Sequence, residues 1–280
     1  MSEIVKYGNQ LNVLKFKGFQ KTDMNLLMSL CAKMKDRSTE KVILKFSEIK
    51  EIANYSGTDK KFAEDLDQMT DRLMLVNCKI ITNGKIDKFV LFPRCHIDLD
   101  TRTVTISVDP EFAFLLNELE QYTIFELEEF ISLNSKYSKN LYRLLKQWRT
   151  VGKYIFNDLE EFRKLMDIPT AYTNKYMMNE CVSVAIEEIS KLDKSFIGFK
   201  CEPVYAKKRG KPLEKLIFTW KAEKNLFVNE NDTSDTPKRK SKKPPKKTNT
   251  AAYFNNYPQR EYTSEYYDYL EQVSLKQTMQ

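Results

Sequence analysis

The chain has 280 residues, of which 41% are hydrophobic, and its 46 basic and 39 acidic side chains give a net charge of +7. This length fits one large domain or two small ones, and the positive charge favours an acidic partner. Seven glycines are too few for a glycine-rich phosphate-binding fold, and five scattered cysteines do not suggest a disulfide framework.

The sequence has no pattern typical of an active site, a metal centre or a membrane span. His96 is the only histidine, so the clustered His and Cys ligands of a zinc site are missing. No Gly-x-x-x-x-Gly-Lys-Ser/Thr loop occurs, and the carboxylates of Glu111–Glu129 have the spacing of a solvated helical face. An apolar run of about 18 residues and a secretory signal pattern are also missing. We therefore expect a cytoplasmic protein that is not an enzyme, binds no metal or cofactor and makes no membrane contact.

Periodicity and turn signals predict a mixed helix and strand order in the first part of the chain. The motif Phe46–Ile52 has an aromatic strand end, an N-cap residue at Ser47 and an acid in the first helical turn. Asn83-Gly84 is a hairpin turn signal. The other predicted elements are a helix at Thr22–Lys35, a strand at Val42–Phe46, a turn at Ser56–Thr58, a helix at Asp59–Val76, hairpin strands at Asn77–Ile81 and Phe89–Phe92, and a strand at Val104–Val108.

The same order returns further along the chain. The segment Phe156–Phe162, with a predicted N-cap at Asn157, matches Phe46–Ile52 position by position at an offset of 110 residues. The other predicted elements are a helix at Ser135–Arg149, a strand at Lys153–Phe156, a turn at Asp167–Thr170, a helix at Asn174–Leu192, and hairpin strands at Phe199–Ala206 and Lys215–Trp220. Both halves therefore have the element order of a winged helix-turn-helix, which is helix, strand, helix, turn, helix and hairpin.

The predicted fold class is α+β, with two tandem winged helix-turn-helix domains at residues 1–108 and 109–225. Residues 226–252 contain a run of lysines, arginines and prolines without acids, which predicts a disordered basic linker. That run either binds DNA nonspecifically or only keeps the chain soluble. Residues 253–280 are rich in tyrosine and have apolar side chains at helical spacing, which predicts a short amphipathic helix that docks on a partner, on the body or on a second copy.

The helix around residues 137–149 carries a strong charge contrast. Residues 136–149 include five bases and no acid, whereas residues 109–134 include seven acids and no base. Leucines form an apolar stripe, which predicts a core helix with an outward cationic row suited to a nucleic-acid backbone. A solvated face is the alternative. The predicted phosphate contacts on this helix are Lys136, Lys139, Arg143 and Lys146.

Other candidate DNA contacts follow from the helix-turn-helix pattern, in which the second helix enters the major groove with its N-terminus first. In the second unit these residues are Tyr172, Thr173, Asn174 and Lys175, whose polar side chains suit base edges. In the first unit, Lys60 and Lys61 lie at the start of the corresponding helix and are the predicted phosphate contacts. The predicted wing tip contains Lys207, Lys208, Arg209 and Lys211, which either contact a DNA backbone or form only a solvated turn.

Several segments resemble the Rep_3-type initiators of theta-replicating bacterial plasmids, nearest those of the staphylococcal multiresistance plasmids. They are Asn9-Gln-Leu-Asn12, Tyr137-Ser-Lys-Asn-Leu-Tyr-Arg-Leu-Leu-Lys-Gln-Trp148, Phe162-Arg-Lys-Leu-Met-Asp-Ile-Pro169 and Arg209-Gly-Lys followed by Phe218-Thr-Trp220. The resemblance implies two winged-helix domains that bind directly repeated origin DNA, called iterons, in the bacterial cytoplasm. It also implies a monomer–dimer switch, with the dimer interface largely in the first domain, and recruitment of host replication proteins such as primase or a helicase loader.

Two other functions fit the same fold, because a fold does not determine what the bound protein recruits. One is a winged-helix transcriptional repressor. The other is a protein-interaction scaffold that does not bind DNA. A scaffold would show no salt-dependent binding to any duplex.

Overall fold

The computed structural model describes residues 3–35, 37, 41–74, 78–82, 85–90, 92, 94–107, 116, 122–207 and 209–223. The predicted basic linker, the predicted C-terminal helix, Lys208 and the Asn83-Gly84 turn lie outside the described residues. The boundary predicted between residues 108 and 109 does as well.

The first winged-helix unit begins with a strand and a long buried helix. α1 lies at its centre, with residues 23–32 buried throughout. In chain order, the elements up to residue 107 are β1 (Ile4–Gly8), a 3-10 helix (Asn9–Val13), α1 (Lys21–Met34), β2 (Val42–Lys45), α2 (Phe46–Ile52), α3 (Asp59–Met74), β3 (Cys78–Thr82), β4 (Lys85–Phe89), β5 (Arg94–Asp98) and β6 (Thr103–Ser107).

The wing of the first unit is not the hairpin that the sequence predicts. β3 and β4 form a separate two-stranded ribbon, whereas β5 and β6 join β2 in a sheet of order β2-β6-β5. The turn of this wing is stabilised by Asp98, whose carboxylate accepts hydrogen bonds from the backbone N–H groups of Asp100 and Thr101, both at 2.9 Å. An Asp turn of this kind is a weaker sequence signal than Asn-Gly, so the sequence does not predict β5.

The second unit repeats this architecture. Its sheet has the order β8-β10-β9, the counterpart of β2-β6-β5. The helix that follows the turn runs without a break through residues 174–190, with a π-helical middle. The elements are β7 (Tyr122–Glu126), α4 (Leu127–Ser132), α5 (Lys136–Lys146), β8 (Lys153–Phe156), α6 (Leu159–Leu165), α7 (Asn174–Tyr176), a π-helix (Met177–Val182), α8 (Ser183–Ser190), β9 (Lys200–Tyr205) and β10 (Leu213–Thr219).

The turns after α2 and α6 end those helices in the same way. Asn54 and Asp167 both adopt the left-handed conformation, with φ of 50° and 51°. In each case the next backbone N–H bonds back into the helix: Tyr55 to the Lys50 carbonyl at 2.8 Å, and Ile168 to the Arg163 carbonyl at 2.9 Å. This is a helix end for which Asn and Asp are better suited than most residues.

The element order and the two three-stranded sheets confirm the predicted fold of two tandem winged helices.

The starts of α2 and α6 differ from the predicted N-caps. Ser47 is not the cap of α2, because the helix already begins at Phe46 and Lys45 is its N-cap. The Lys45 N–H donates to the Glu48 carboxylate at 2.8 Å. Asn157 is not the cap of α6 either. Asp158 takes that place, and its carboxylate accepts from the N–H groups of Glu160 and Glu161 at 2.8 and 3.0 Å. An ionised carboxylate binds these free N–H groups more strongly than an amide does.

A two-stranded antiparallel ladder joins distant parts of the chain. β1 pairs with β7 so that Val5 lies opposite Phe125 and Gly8 opposite Tyr122. α1 also packs against α4 and α5. The two winged units therefore share a core around β1, α1 and α5.

Candidate nucleic-acid interface

The predicted outward cationic row on α5 is wrong. Lys139 and Arg143 have 0% of their surface exposed, and Lys146 has 4%. The helix packs against α1, β7 and α8, so its residues 138–146 are all buried. A buried side chain cannot reach a phosphate on the surface, and these cations bind acceptors inside the protein instead.

Arg143 holds the segment that follows β1. Its guanidinium donates to the carbonyl oxygens of Leu11, Asn12 and Leu14 at 3.4, 3.1 and 3.0 Å, and to the Asn140 side chain at 3.1 Å. Burial lowers its pKa to about 10, so it remains charged at neutral pH. A buried guanidinium must satisfy its N–H groups within the protein, and backbone carbonyls from a distant segment supply the acceptors.

Asn12 ties the same segment to β7 and to the end of α5. Its amide donates to the Thr123 hydroxyl at 2.7 Å and to the Gln147 side chain at 3.2 Å, while its carbonyl accepts from the Tyr7 hydroxyl at 3.0 Å. Asn9 accepts from Thr123 at 2.9 Å. Two of the four motifs that carry the family resemblance, residues 9–12 and 137–148, therefore contact each other in the core.

Lys139 and Lys146 have different partners. The ammonium of Lys139 donates to the Phe130 carbonyl at 2.5 Å, near the C-terminus of α4, where carbonyl groups carry a partial negative charge. Burial, and the nearby charge of Lys21, lower its pKa to about 7. Lys146 lies between the carboxylate of Glu223, at 2.9 Å, and the hydroxyl of Ser195.

Lys136 is the least buried of the predicted contacts on α5, but it is engaged as well. Its ammonium lies 2.9 Å from the carboxylate of Asp167, which also accepts from the Gly18 N–H at 3.2 Å. The helix-turn-helix of the second unit is thereby fixed to the segment before α1. The four predicted contacts on α5 hold the protein together and do not present a cationic face.

The start of the helix at residues 174–190 is exposed. Thr173 caps it by accepting from the Tyr176 N–H at 3.2 Å. The rings of Tyr172 and Tyr176 pack edge to face with centroids 4.4 Å apart, and Tyr176 is 46% exposed. Asn174 and Lys175 are exposed, whereas Met177 is fully buried. The predicted polar surface thus lies at the point where this helix leaves the core.

Arg163 belongs to this region but escaped the sequence prediction. It lies on α6, is only 8% exposed, and its Nη2 donates to Oδ1 of Asn174 at 2.8 Å. Its Nη1 is buried and has no hydrogen-bond partner among the described residues. The neighbouring Lys164 is exposed. Only the motif at residues 162–169 pointed to this stretch of α6, and it gave Arg163 no role.

The wing of the second unit carries exposed bases. Lys207, Arg209 and Lys211 are all exposed, and within the described part of the chain none of them forms an ion pair. The Ala206 N–H donates to the Pro212 carbonyl at 2.9 Å, which closes the base of the turn, and Gly210 has φ of 82°. Of the predicted wing residues, the structure leaves only Lys208 undescribed.

The corresponding helix of the first unit differs in charge. Lys60 and Lys61 are exposed, as predicted, but the ammonium of Lys61 is paired with Asp65 at 2.7 Å. α3 also exposes Glu64 and Asp67, and its sequence has more acids than bases. Acids on an exposed helix repel phosphates, so the charge of α3 is less favourable for contact with a polyanion than the charge at the start of the helix at residues 174–190.

Two further properties concern only the described residues. No group of three or more His, Cys, Asp or Glu side chains there could hold a metal ion. No helix in that part of the chain is long and apolar enough to cross a membrane.

Two family models match the chain along most of the body. The model described as "Initiator Replication protein, WH1" matches residues 4–146, and the one described as "Initiator Rep protein, WH2" matches residues 158–220. The chain is also 33% identical over 225 residues to the "Probable replication protein rep" of Bifidobacterium longum (strain NCC 2705). The aligned region covers 79% of this chain and 74% of that relative.

A solved structure shares the fold. It is the Pi initiator protein in complex with iteron DNA, which superposes with a TM-score of 0.60 at 13% identity and covers 78% of this chain and 97% of that one. At this level of identity the likeness supports the tandem winged-helix architecture alone.

Proposed function

Because the chain belongs to the Rep_3 family of initiator replication proteins, we propose that it starts plasmid replication by binding iterons in double-stranded DNA. The observation that carries this proposal is the exposed surface of the second unit. That surface combines a polar helix start at residues 172–176 with a wing whose lysines and arginine have no ion-pair partner among the described residues. The iteron DNA bound by the structurally similar Pi initiator is consistent with it.

The two parts of this surface have different tasks. The helix start would enter the major groove, where Asn174 and Lys175 can hydrogen-bond to base edges and Thr173 can contact either a base or a phosphate. The wing residues Lys207 and Arg209, with Lys208 and Lys211, would neutralise phosphates and fix the register. The second unit therefore supplies most of the specificity, and Lys60 and Lys61 add a weaker contact from the first unit.

Other properties follow from the family and complete the proposal. The protein would act in the bacterial cytoplasm without catalytic activity of its own. It would switch between monomer and dimer, with the dimer interface chiefly in the first unit. Once bound, it would recruit host replication proteins such as primase or a helicase loader.

Fluorescence anisotropy can test the DNA-binding step. The probes are a duplex with direct repeats taken from the DNA beside the gene and a shuffled duplex of the same composition. We expect preference for the repeats, and a log–log salt slope of roughly −4 to −5 if about 4–6 phosphates are neutralised. Equal affinity for both duplexes would contradict specific binding.

A replication assay separates an initiator from a repressor with the same fold. A plasmid that carries the repeats but lacks the gene is introduced into cells that do or do not supply the protein from the chromosome. An initiator maintains the plasmid only where the protein is supplied. A repressor would leave plasmid maintenance independent of the protein.

A further inference from the structure

We propose that Arg163 is a positioning residue that holds the carbonyl oxygen of Asn174 inside the protein, leaves its amide nitrogen to donate to DNA, and thereby makes guanine the base that Asn174 selects. This inference rests on the proposed function, in which the start of the helix at residues 174–190 contacts base edges. Arg163 itself is buried and would not touch DNA.

The orientation of the Asn174 amide follows from the chemistry of its partner. A guanidinium has only donors, so the atom of Asn174 that lies 2.8 Å from Arg163 Nη2 must be the carbonyl oxygen. Arg163 is held by α6, and its own carbonyl accepts from the Ile168 N–H at 2.9 Å in the turn. The side-chain oxygen of Asn174 is thus fixed from the inside of the helix-turn-helix.

The amide nitrogen of Asn174 is left for a ligand. Asn174 is exposed, and no described residue accepts a hydrogen bond from its Nδ2. A freely rotating Asn pairs with adenine through two bonds, accepting from N6 and donating to N7. With its oxygen already bound to Arg163, Asn174 is poorly placed for that pair.

Guanine fits the remaining donor. Its major-groove edge presents N7 and O6, which are both acceptors, whereas adenine presents an acceptor beside a donor. The two hydrogens of Nδ2 can therefore approach guanine without meeting a competing N–H. The positive charge of Arg163 behind the carbonyl also polarises the amide and strengthens Nδ2 as a donor.

The unsatisfied N–H group of Arg163 argues against a purely structural role for this side chain. Its Nη1 is buried without a hydrogen-bond partner among the described residues, which costs free energy. An apolar side chain of similar length would avoid that cost. A guanidinium at this position is explained by what it does to Asn174.

The test compares base preference across matched variants of the full chain. A randomised duplex library is bound, recovered and sequenced with the wild type, Arg163→Met, Arg163→Lys, Asn174→Ala and Asn174→Asp. Asn174→Ala identifies the position in the bound sequence that depends on Asn174. Arg163→Lys keeps a donor to the Asn174 oxygen, and Asn174→Asp keeps the contact with Arg163 but removes the donor to DNA.

We expect guanine at that position for the wild type and Arg163→Lys, preferred over adenine by roughly tenfold. Arg163→Met should shift the position towards adenine, and Asn174→Asp should lose guanine, with the rest of the bound sequence unchanged. If Arg163→Met keeps the guanine preference, or if Asn174→Ala alters no position, the inference is overturned. If the wild type enriches no sequence at all, the proposed function itself fails.

Discussion

The guanidinium of Arg143 lies 3.0 Å from the carbonyl oxygen of Leu14, a residue 129 positions earlier in the chain. This contact joins α5 to the segment that leads from β1 to α1. It places the most conspicuous basic helix of the sequence at the centre of the fold, where its cations satisfy backbone carbonyls and buried carboxylates.

Replacing Arg143 should therefore affect stability and leave the electrostatics of DNA binding unchanged. Arg143→Met removes the donor to the buried carbonyls of Asn12 and Leu14 and leaves the Leu11 carbonyl with the Leu14 N–H at 3.3 Å. We expect a loss of about 3–5 kcal/mol in the free energy of unfolding. Urea denaturation measures this loss. The salt slope of DNA affinity, measured below the unfolding range, should match that of the wild type.

The control for Arg143 is Lys153→Met, which removes an exposed base from β8. Its effect on stability should stay within about 0.5 kcal/mol. A loss below about 1 kcal/mol for Arg143→Met, or a shallower salt slope, would contradict the structural role of Arg143.

The lowered pKa of Lys139 should make the stability of the protein depend on pH. Its pKa is about 7 in the folded protein and well above that in the unfolded chain. Between these values the unfolded chain binds a proton that the folded protein does not, so the free energy of unfolding rises with pH by up to about 1.4 kcal/mol per unit. Urea denaturation between about pH 7 and 8.5 should show this rise in the wild type relative to Lys139→Met. If the free energy of unfolding has the same pH dependence in the wild type and in Lys139→Met, the prediction is wrong.

The wing predicts a uniform effect on DNA binding. Arg209→Ala removes one exposed cation, so affinity should fall on all duplexes alike and the log–log salt slope should become shallower by roughly 1. Lys191→Ala is the matched control, because Lys191 is also exposed, directly after α8, but is paired with Glu187 at 2.7 Å. Anisotropy titrations at several salt concentrations measure both variants. A slope for Arg209→Ala that equals the control would exclude a phosphate contact.

The left-handed turn residue of the first unit predicts opposite effects of two substitutions. Asn54 has φ of 50° and an exposed side chain. Asn54→Gly should be neutral or slightly stabilising, since glycine adopts this conformation without strain, whereas Asn54→Val should cost about 1–2 kcal/mol. Thermal unfolding compares the two. Equal melting temperatures would mean that the turn relaxes to another conformation.

Local sequence patterns predicted much of the architecture. The offset between Phe46 and Phe156, the helix start at Asn174 and the wing around Gly210 all depend on neighbouring residues, and the structure has the corresponding elements. The Asn-Gly signal in the first unit marked a real ribbon but not the wing, because turn chemistry does not determine which strands join a sheet.

Burial of charged side chains could not be predicted in the same way. Arg143 and Lys164 both lie on short helices beside apolar residues, yet Arg143 is buried and Lys164 exposed. The difference comes from carbonyl acceptors far away in the chain, which periodicity does not reveal. The same limit hid Arg163, whose contact with Asn174 crosses the helix-turn-helix.

The ladder between β1 and β7 bears on how the protein can be divided for study. Residues 4–8 complete a two-stranded pair with residues 122–126, so a fragment cut between the units loses one partner. The remaining strand would expose unpaired N–H and C=O groups, which promote self-association. Separately expressed halves should aggregate, whereas co-expressed halves should recombine through this pair of strands.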